Sequence, residues 1–392
     1  MDARLPVSGY FDAKSCHIDE FRALVSRSLE ASELVFTDTV VKNVPIYDVA
    51  GLGKELEGAG LRRRLMAEWA HVLKDLSGVL VLKGAFADTA PLDEAAKVFH
   101  DIIAREKLEN GGGADHFAKA GANDRIWNSL QKLCLQAPAV FAGCFGNRAI
   151  DTVCEAWLGP NYQMTAQVNL VRPGGEAQQA HRDYHLGFQT ADISASYPAH
   201  VHDLSPVMTL QGGVAHVDMP IESGPTKLLP FSQLYRAGYA AWRLDEFRAC
   251  FEKRYIQLPL EKGDALFFNP ALFHAAGANR SADVQRLVNL LQVSSAFGRA
   301  MESIDRMAMC KALYPALKDA HASGSMSWSS IEAAVSSCAE GYSFPTNLDR
   351  DPPIGGLAPQ TQKQLFLKAL SERWDRSSFE AALDEQDARR RP

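Results

Sequence analysis

Apolar residues recur along this chain with two different periods, and the change of period divides it into three stretches. In the first, residues 1–76, the segment LRRRLMAEWAHVLKDL sets Leu61, Leu65, Trp69, Val72, Leu73 and Leu76 at helical spacing, which predicts an amphipathic helix packed on a larger body. A short apolar strand is expected over Val79–Leu82 and a second helix over Pro91–Lys107. GGGADHFAKAGAND, residues 111–124, reads as a mobile Gly/Ala-rich loop; its consecutive glycines and the lack of a preceding strand exclude a P-loop and a dinucleotide fingerprint. From about Tyr162 the pattern shortens to strand-like runs, MTAQVNLV, QGGVAHVDM, TKLLPF, RYIQLPL, ALFFN and RLVNLLQV, broken by Gly-, Pro- and Asp-rich pieces such as PGGEAQ and EKGD. Short strands between regular turn signals predict a β-sandwich or barrel. After Arg299 the pattern is helical again over Ile304–Cys338, and the Pro/Gly-rich loop RDPPIGGLAPQ, residues 350–360, precedes a terminal polar helix. The expected organisation is a helical N-terminal extension, 1–76, a mainly β core domain with helices, 77–299, and a helical C-terminal extension, 300–392.

Composition narrows the function classes. With 392 residues, 46% of them hydrophobic and 22% charged, the chain can bury a sizeable core, and wholesale disorder is excluded. A net charge of −6 gives no field to hold a phosphate backbone and makes nucleic acid an unexpected partner, and the terminal Arg389, Arg390 and Arg391 read as a solvated tail. Cysteines at 16, 134, 144, 154, 250, 310 and 338 are odd in number and form no C-x-x-C pair, so neither a zinc ribbon nor a disulfide framework is expected. The start MDARLPVSGYFDAKSCHIDE has no apolar signal-peptide region, and no run of 18 apolar residues occurs to span a membrane. Reduced thiols in a cytoplasm are the expectation.

The chemistry lies in NLVRPGGEAQQAHRDYHLGF. On a strand, His181 and Asp183 share one face, so two ligands can converge on one ion. A second imidazole has to come from elsewhere in the chain, and His274, in KGDALFFNPALFHAAGANRS just after a predicted strand, is the candidate. Two imidazoles and one carboxylate on one face of a metal, with the other positions open, are the ligand set of non-heme Fe(II) oxygenases. Their separation in sequence calls for a double-stranded β-helix, a jelly-roll or cupin-like fold that sets distant strands side by side. A 2-oxo acid cosubstrate would also need a guanidinium for its distal carboxylate, and Arg286, at the head of RLVNLLQV, is the better candidate than Arg280 in the turn-like NRS.

From Gly78 to Phe297 the sequence resembles the phytanoyl-CoA dioxygenase-like branch of the Fe(II)/2-oxoglutarate oxygenases, which includes ectoine hydroxylase. The resemblance rests on GVLVLKGAF, NLVRPGG before the HRD triplet, ESGPTKLLPFSQL and KGDALFFNPALFHAAGANRS, in that order. It implies that His181, Asp183 and His274 hold the iron, that Arg286 holds the C5 carboxylate of 2-oxoglutarate, and that Asn169 is a further cosubstrate contact. It also implies O2 as co-reactant, with succinate and CO2 released as an unactivated C–H bond is hydroxylated. A carboxylate at Asp183 points to hydroxylation, because halogenases of the superfamily have Gly or Ala there. This chain departs from the family in having Pro230-Phe231-Ser232-Gln233 where Pro-Gly-Ser-His is common, and in placing Arg286 twelve rather than eleven positions beyond His274.

Two other classes stay open on sequence grounds: a cupin-like metal enzyme without a 2-oxo acid, and a non-catalytic β-sandwich that binds a small molecule. His185, on the same predicted strand face as His181 and Asp183, is read as a substrate contact, a partner of the ligands or a core histidine. His200 and His202 are expected on a loop over the mouth, and Asp264 in a turn. The stretch from Tyr184 to Thr226 contains no Lys or Arg, only Asp192, Asp203, Asp218 and Glu222. It therefore favours a neutral or cationic small-molecule substrate over an acyl-CoA, with Lys119, Arg125 and Lys132 as the opposing rim. The extensions are expected to be helical cladding or the surface of a homo-oligomer.

Overall fold

The structure, a computed structural model, describes residues 9–37, 39–110, 123–343, 347–353 and 358–391. The Gly/Ala-rich loop up to residue 122, with Lys119, lies outside the described residues. Ten strands are present among them: β1 Thr39–Val41, β2 Val44–Asp48, β3 Val79–Lys83, β4 Asn123–Ile126, β5 Gln163–Val171, β6 Thr209–Ala215, β7 Lys227–Leu229, β8 Ala265–Phe268, β9 Phe273–Ala275 and β10 Arg286–Ser294. Eight form a major sheet in the order β1-β2-β3-β8-β6-β10-β5-β4, and β7 pairs with β9 in a minor sheet. Bridges from His274 to His181 and from Leu228 to Ile256 widen the minor sheet on both sides. The chain crosses from major to minor sheet at the tight corner after β8, where Leu272 N–H donates to the Asn269 carbonyl. The core is a double-stranded β-helix clad in helices.

Strand parity decides what faces the space between the sheets. Met164, Ala166, Val168 and Leu170 of β5, Leu210 and Val214 of β6, and Leu287, Leu291 and Val293 of β10 belong to the large core under the helices. Successive side chains alternate across a sheet, so the intervening residues face inward: Thr165, Gln167 and Asn169, Gln211, Gly213 and Ala215, and Arg286, Val288, Leu290 and Gln292. At one end this interior is apolar, with Val79, Val81, Leu266 and Phe268 of the major sheet packed on Leu228, Leu258, Leu260 and Leu272 opposite. Elsewhere it is lined by amides and charges.

Helices over Ala59–Asp75, Ala90–Asn110, Arg306–Ser323 and Trp328–Cys338 contribute to the outer core. The C-terminal ones start on side-chain caps, Asp305 accepting from Ala308 N–H and Ser327 from Ser330 N–H. The lead-in also supplies strands. Lys42 and Asn43, both at positive φ (52° and 68°), turn β1 into β2 as a tight hairpin, and β2 then pairs in parallel with β3. RYIQLPL, expected as a strand, contributes only single bridges at Ile256 and Leu260, with Pro259 between them unable to donate to a ladder.

Candidate metal centre

His274 is the middle residue of β9, and His181 is bridged to it by reciprocal backbone bonds of 3.0 and 3.1 Å. The two rings lie side by side, 4.5 Å between centroids. Each ring's Nδ1 lies 2.8 Å from a backbone carbonyl two residues earlier, of Gln179 and Leu272 respectively. A carbonyl can only accept, so Nδ1 carries the proton on both rings and Nε2 presents its lone pair. Both lone pairs meet Asp183, with His181 Nε2 3.8 Å from Oδ1 and His274 Nε2 3.3 Å from Oδ2. Adjacent donors around an octahedral first-row divalent cation lie about 3 Å apart, given bonds of about 2.1 Å. His274 Nε2 is buried without a hydrogen-bond partner, the mark of a donor reserved for a ligand. All three donor atoms lie within 4.8 Å of one another, so the residues fit an iron ion bound on one face.

Burial pushes the His181 pKa down, with the nearby His274 adding to this and Asp183 opposing it. Burial alone would raise the Asp183 carboxyl, but the two histidines and a Gln211 hydrogen bond outweigh it and bring it to about 2. Asp183 is therefore an ionised carboxylate faced by the Nε2 atoms of both rings, an arrangement suited to a cation.

Three residues not anticipated from the sequence hold this set. Gln211, on the inner face of β6, donates from Nε2 to Asp183 Oδ2 at 2.9 Å, and Tyr239 Oη donates to the Asp183 carbonyl at 2.9 Å. Arg182, between the two ligands, points the other way. It donates from Nη2 to the carbonyls of Ser232 (2.6 Å) and Tyr235 (2.9 Å) and lies against the rings of Tyr239 and Phe273. Its signal was the H-R-D triplet itself, since the middle residue of an extended tripeptide faces away from its neighbours. Gly238 is required there, because a Cβ would sit 1.9 Å from the Arg182 Cζ. The departure at Pro230–Gln233 is accommodated nearby. Phe231 takes the left-handed backbone (φ 67°) that a glycine would favour, Ser232 Oγ accepts from Phe273 N–H at the start of β9, and Gln233 donates to the Leu76 carbonyl.

Arg286 faces the same interior from the head of β10 and is buried. Its Nη1 donates to the carbonyls of Ser223 (3.0 Å) and Gly277 (3.2 Å), with Nε and Nη2 making no hydrogen bond among the described residues. Burial lowers its pKa to about 10, with no facing carboxylate among the described residues to counter it. Arg280 is exposed. Asn169 lies opposite Val288, two positions along β10 from Arg286, and its buried Oδ1 has no partner. His185 is not on a strand. It opens a one-turn 3-10 helix, His185–Phe188, at φ 44°, so the alternation that placed it beside His181 and Asp183 does not apply; its Nε2 is buried and unpartnered. His200 and His202 lie in a short helix, Ala199–Leu204, where His202 is buried and its Nε2 lies 3.0 Å from the Ser194 carbonyl. Asp264 accepts from Gly84 and Glu261 N–H, tying the turn before β8.

Comparison with known proteins follows this geometry. Residues 75–287, more than half of the chain, match the family Phytanoyl-CoA dioxygenase (PhyH). The dioxygenase andF of Emericella variicolor is 26% identical over 144 residues, 35% of this chain and 44% of that protein. The dioxygenase aneA of Aspergillus aculeatus is 26% identical over 244 residues, 59% of this chain and 74% of that protein. The chain thus spans less than half the length of andF. Among solved structures, the non-heme alpha ketoglutarate dependent carbocyclase SnoK from nogalamycin biosynthesis is 18% identical with a TM-score of 0.41, covering 60% of this chain and 86% of that one. With the family match spanning the strands that carry His181, Asp183 and His274, the chain belongs to the phytanoyl-CoA dioxygenase family, and its cofactors are Fe(II), 2-oxoglutarate and O2.

Proposed function

We propose that the protein is an Fe(II)- and 2-oxoglutarate-dependent dioxygenase that hydroxylates an unactivated C–H bond of a small molecule. The observation that supports this best is the pair of oriented Nε2 donors meeting Asp183 in an interior that also holds Arg286, a buried cation with no carboxylate partner among the described residues. His181, Asp183 and His274 would hold the iron, which when bound supplies the oxidation: substrate R–H, 2-oxoglutarate and O2 become R–OH, succinate and CO2. Arg286 would take the C5 carboxylate with Nε and Nη2, a geometry a guanidinium matches with two parallel bonds. Asn169, next to it on the inner face, would turn its amide to the cosubstrate. Asp183 keeps the third ligand a carboxylate, which supports hydroxylation over chlorination.

A neutral or cationic substrate is favoured over an acyl-CoA. The segment from Tyr184 to Thr226 that follows the ligands offers no cation for phosphates, and Lys132 on the opposite side is ion-paired with Glu106. No helix among the described residues is long and apolar enough to cross a membrane. The seven free cysteines fit a reducing cytoplasm. The test is anaerobic titration with Fe(II) and 2-oxoglutarate, followed by succinate release in air. The weak visible charge-transfer band of iron-bound 2-oxoglutarate is expected with wild type; its absence would leave the cupin-like reading or the non-catalytic one.

A further inference from the structure

The inner face of the major sheet carries an array of side-chain amides that runs from Arg125 to the Asp183 carboxylate, and its polarity is set at both ends. At one end Arg125, which can only donate, gives an Nη1 hydrogen bond to Gln167 Oε1 at 2.9 Å. Gln167 must then present its NH2, and it donates to Gln292 Oε1 at 3.1 Å and, more weakly, to Glu302 Oε1 at 3.4 Å. At the other end the Asp183 carboxylate, which can only accept, holds the NH2 of Gln211 at 2.9 Å. Gln211 and Gln292 are direct cross-strand partners on β6 and β10. None of these amides can flip without placing two donors or two acceptors face to face.

The consequence is a set of buried atoms left over. Gln211 Oε1 and Glu302 Oε2 have no hydrogen-bond partner among the described residues; the first can only accept, and the second accepts when the carboxyl is ionised. The Tyr184 hydroxyl, next in sequence to Asp183, is buried with the Gln292 amide as its neighbour, which ties it to the same array. Buried polar atoms are nearly always satisfied; Gln211 carries its unsatisfied oxygen beside Asp183, and Glu302 joins the same array through Gln167. They do not belong to the cosubstrate site: Gln292 and Arg286 share one face of β10 but stand six residues, about 20 Å, apart along it.

We propose that Gln211, Gln292, Gln167, Tyr184 and Glu302 form the substrate-orienting wall of this site, and that the wall takes a small molecule presenting hydrogen-bond donors, hydroxyl or amine. This rests on the oxygenase reading and deepens it. An anionic head group would meet Gln211 Oε1, Glu302 and the Asp183 carboxylate, with Arg125 already engaged by Gln167. A donor-bearing group satisfies the leftover acceptors and is held over the metal by an array that cannot rotate away.

The test uses the full chain loaded with Zn(II), which is redox-inert, and 2-oxoglutarate. Matched ring compounds, each carrying a hydroxyl, a primary amine, a methyl ether or a carboxylate at the same position, are compared by ligand-observed NMR. Alcohols or amines should bind at least tenfold more tightly than the matched ethers and carboxylates. Gln292→Leu should abolish that preference, and the near-isosteric Glu302→Gln, which preserves packing, should weaken it. A loss in Glu302→Gln confined to amines identifies an ammonium as the natural donor; an equal loss for alcohols identifies a hydroxyl. Carboxylates binding as well as alcohols, a preference that survives both substitutions in folded protein, or no discrimination among the four head groups, including binding of none, overturns the proposal. If the Fe(II)/2-oxoglutarate band is present while the preference is absent, only the wall is refuted; if the band itself is missing, the oxygenase reading fails first.

Discussion

Arg182 and Arg286 are two buried guanidiniums on opposite sides of the metal-ligand strands, and by charge alone they look alike. Both have pKa values brought down to about 10 by burial, both donate to two backbone carbonyls from a single nitrogen, and neither has a carboxylate partner among the described residues. Their surroundings differ. Arg182 is enclosed by the rings of Tyr239 and Phe273 and by Gly238, with no room for a ligand. Arg286 projects from the inner face of the major sheet into the space the metal ligands also face, opposite a strand whose Asn169 is unsatisfied. A depressed pKa therefore does not mark function here. Strand parity and enclosure tell the two apart instead, one cation walled in by rings and the other on the inner face shared with the His181, Asp183 and His274 cluster.

The harshest break of this comparison is at the ligands between the two arginines. His181→Ala, Asp183→Ala and His274→Ala should each take the iron-dependent band and coupled succinate release below detection, since each removes one of three facial donors. Near-normal iron content in any of them would take that residue out of the site. Next, the arginines should part company. Arg286→Leu should raise the 2-oxoglutarate KM by between about 30-fold and several thousandfold, the equivalent of about 2–5 kcal/mol for a desolvated charge pair, with the iron content of the folded protein retained. Arg182→Leu should instead destabilise the fold by about 2–4 kcal/mol, through loss of its carbonyl bonds and ring contacts, and lose iron only as the fold loosens. Arg280→Ala should do neither. A KM effect in Arg182→Leu or Arg280→Ala without one in Arg286→Leu would reverse the assignment. Smaller still, Gln211→Leu should weaken Co(II) binding by about 10–100-fold, measured by calorimetry, because Asp183 would lose the bond that orients it; unchanged affinity would make Gln211 a bystander to the ligand.

The contrast also shows what could be read from the chain alone. The meeting of His181, Asp183 and His274 was legible because metal chemistry demands particular residue types, and the inward position of Arg286 because the β-strand period places it. The runs that became β5, β6, β8 and β10 were legible for the same reason of periodicity. Gln211 was not, because its role depends on register: it meets Asp183 only once β6 lies beside β10 and the minor sheet closes over both. The β1–β2 hairpin escaped notice because its turn uses Lys42-Asn43 without glycine. His185 was misplaced because an alternation rule was carried one residue beyond the point where the extended segment gives way to a helical turn.

His216 offers the mildest test of the idea that a shifted pKa here reports enclosure. It follows β6 on the side away from the metal, edge-on to Phe99, with Nδ1 3.2 Å from the Leu92 carbonyl, and burial lowers its pKa to about 4. In the unfolded chain the imidazole titrates at its ordinary value of about 6.5. Between those two values the unfolded state takes up a proton that the folded state refuses, so stability must rise with pH across the window. The contribution is fully present above about pH 6.5, is lost progressively as pH falls toward about 4, and is constant below that. A shift of this size corresponds to at most about 3 kcal/mol. His181, His185 and His202 are shifted in the same direction, so the comparison has to be between metal-free wild type and metal-free His216→Leu. The wild-type melting temperature should fall more steeply from pH 6.5 to 4 than that of His216→Leu, the two curves converging toward acid, with the affinity for 2-oxoglutarate at neutral pH the same in both. Parallel curves would show that His216 takes up its proton in the folded state and that burial does not hold it neutral.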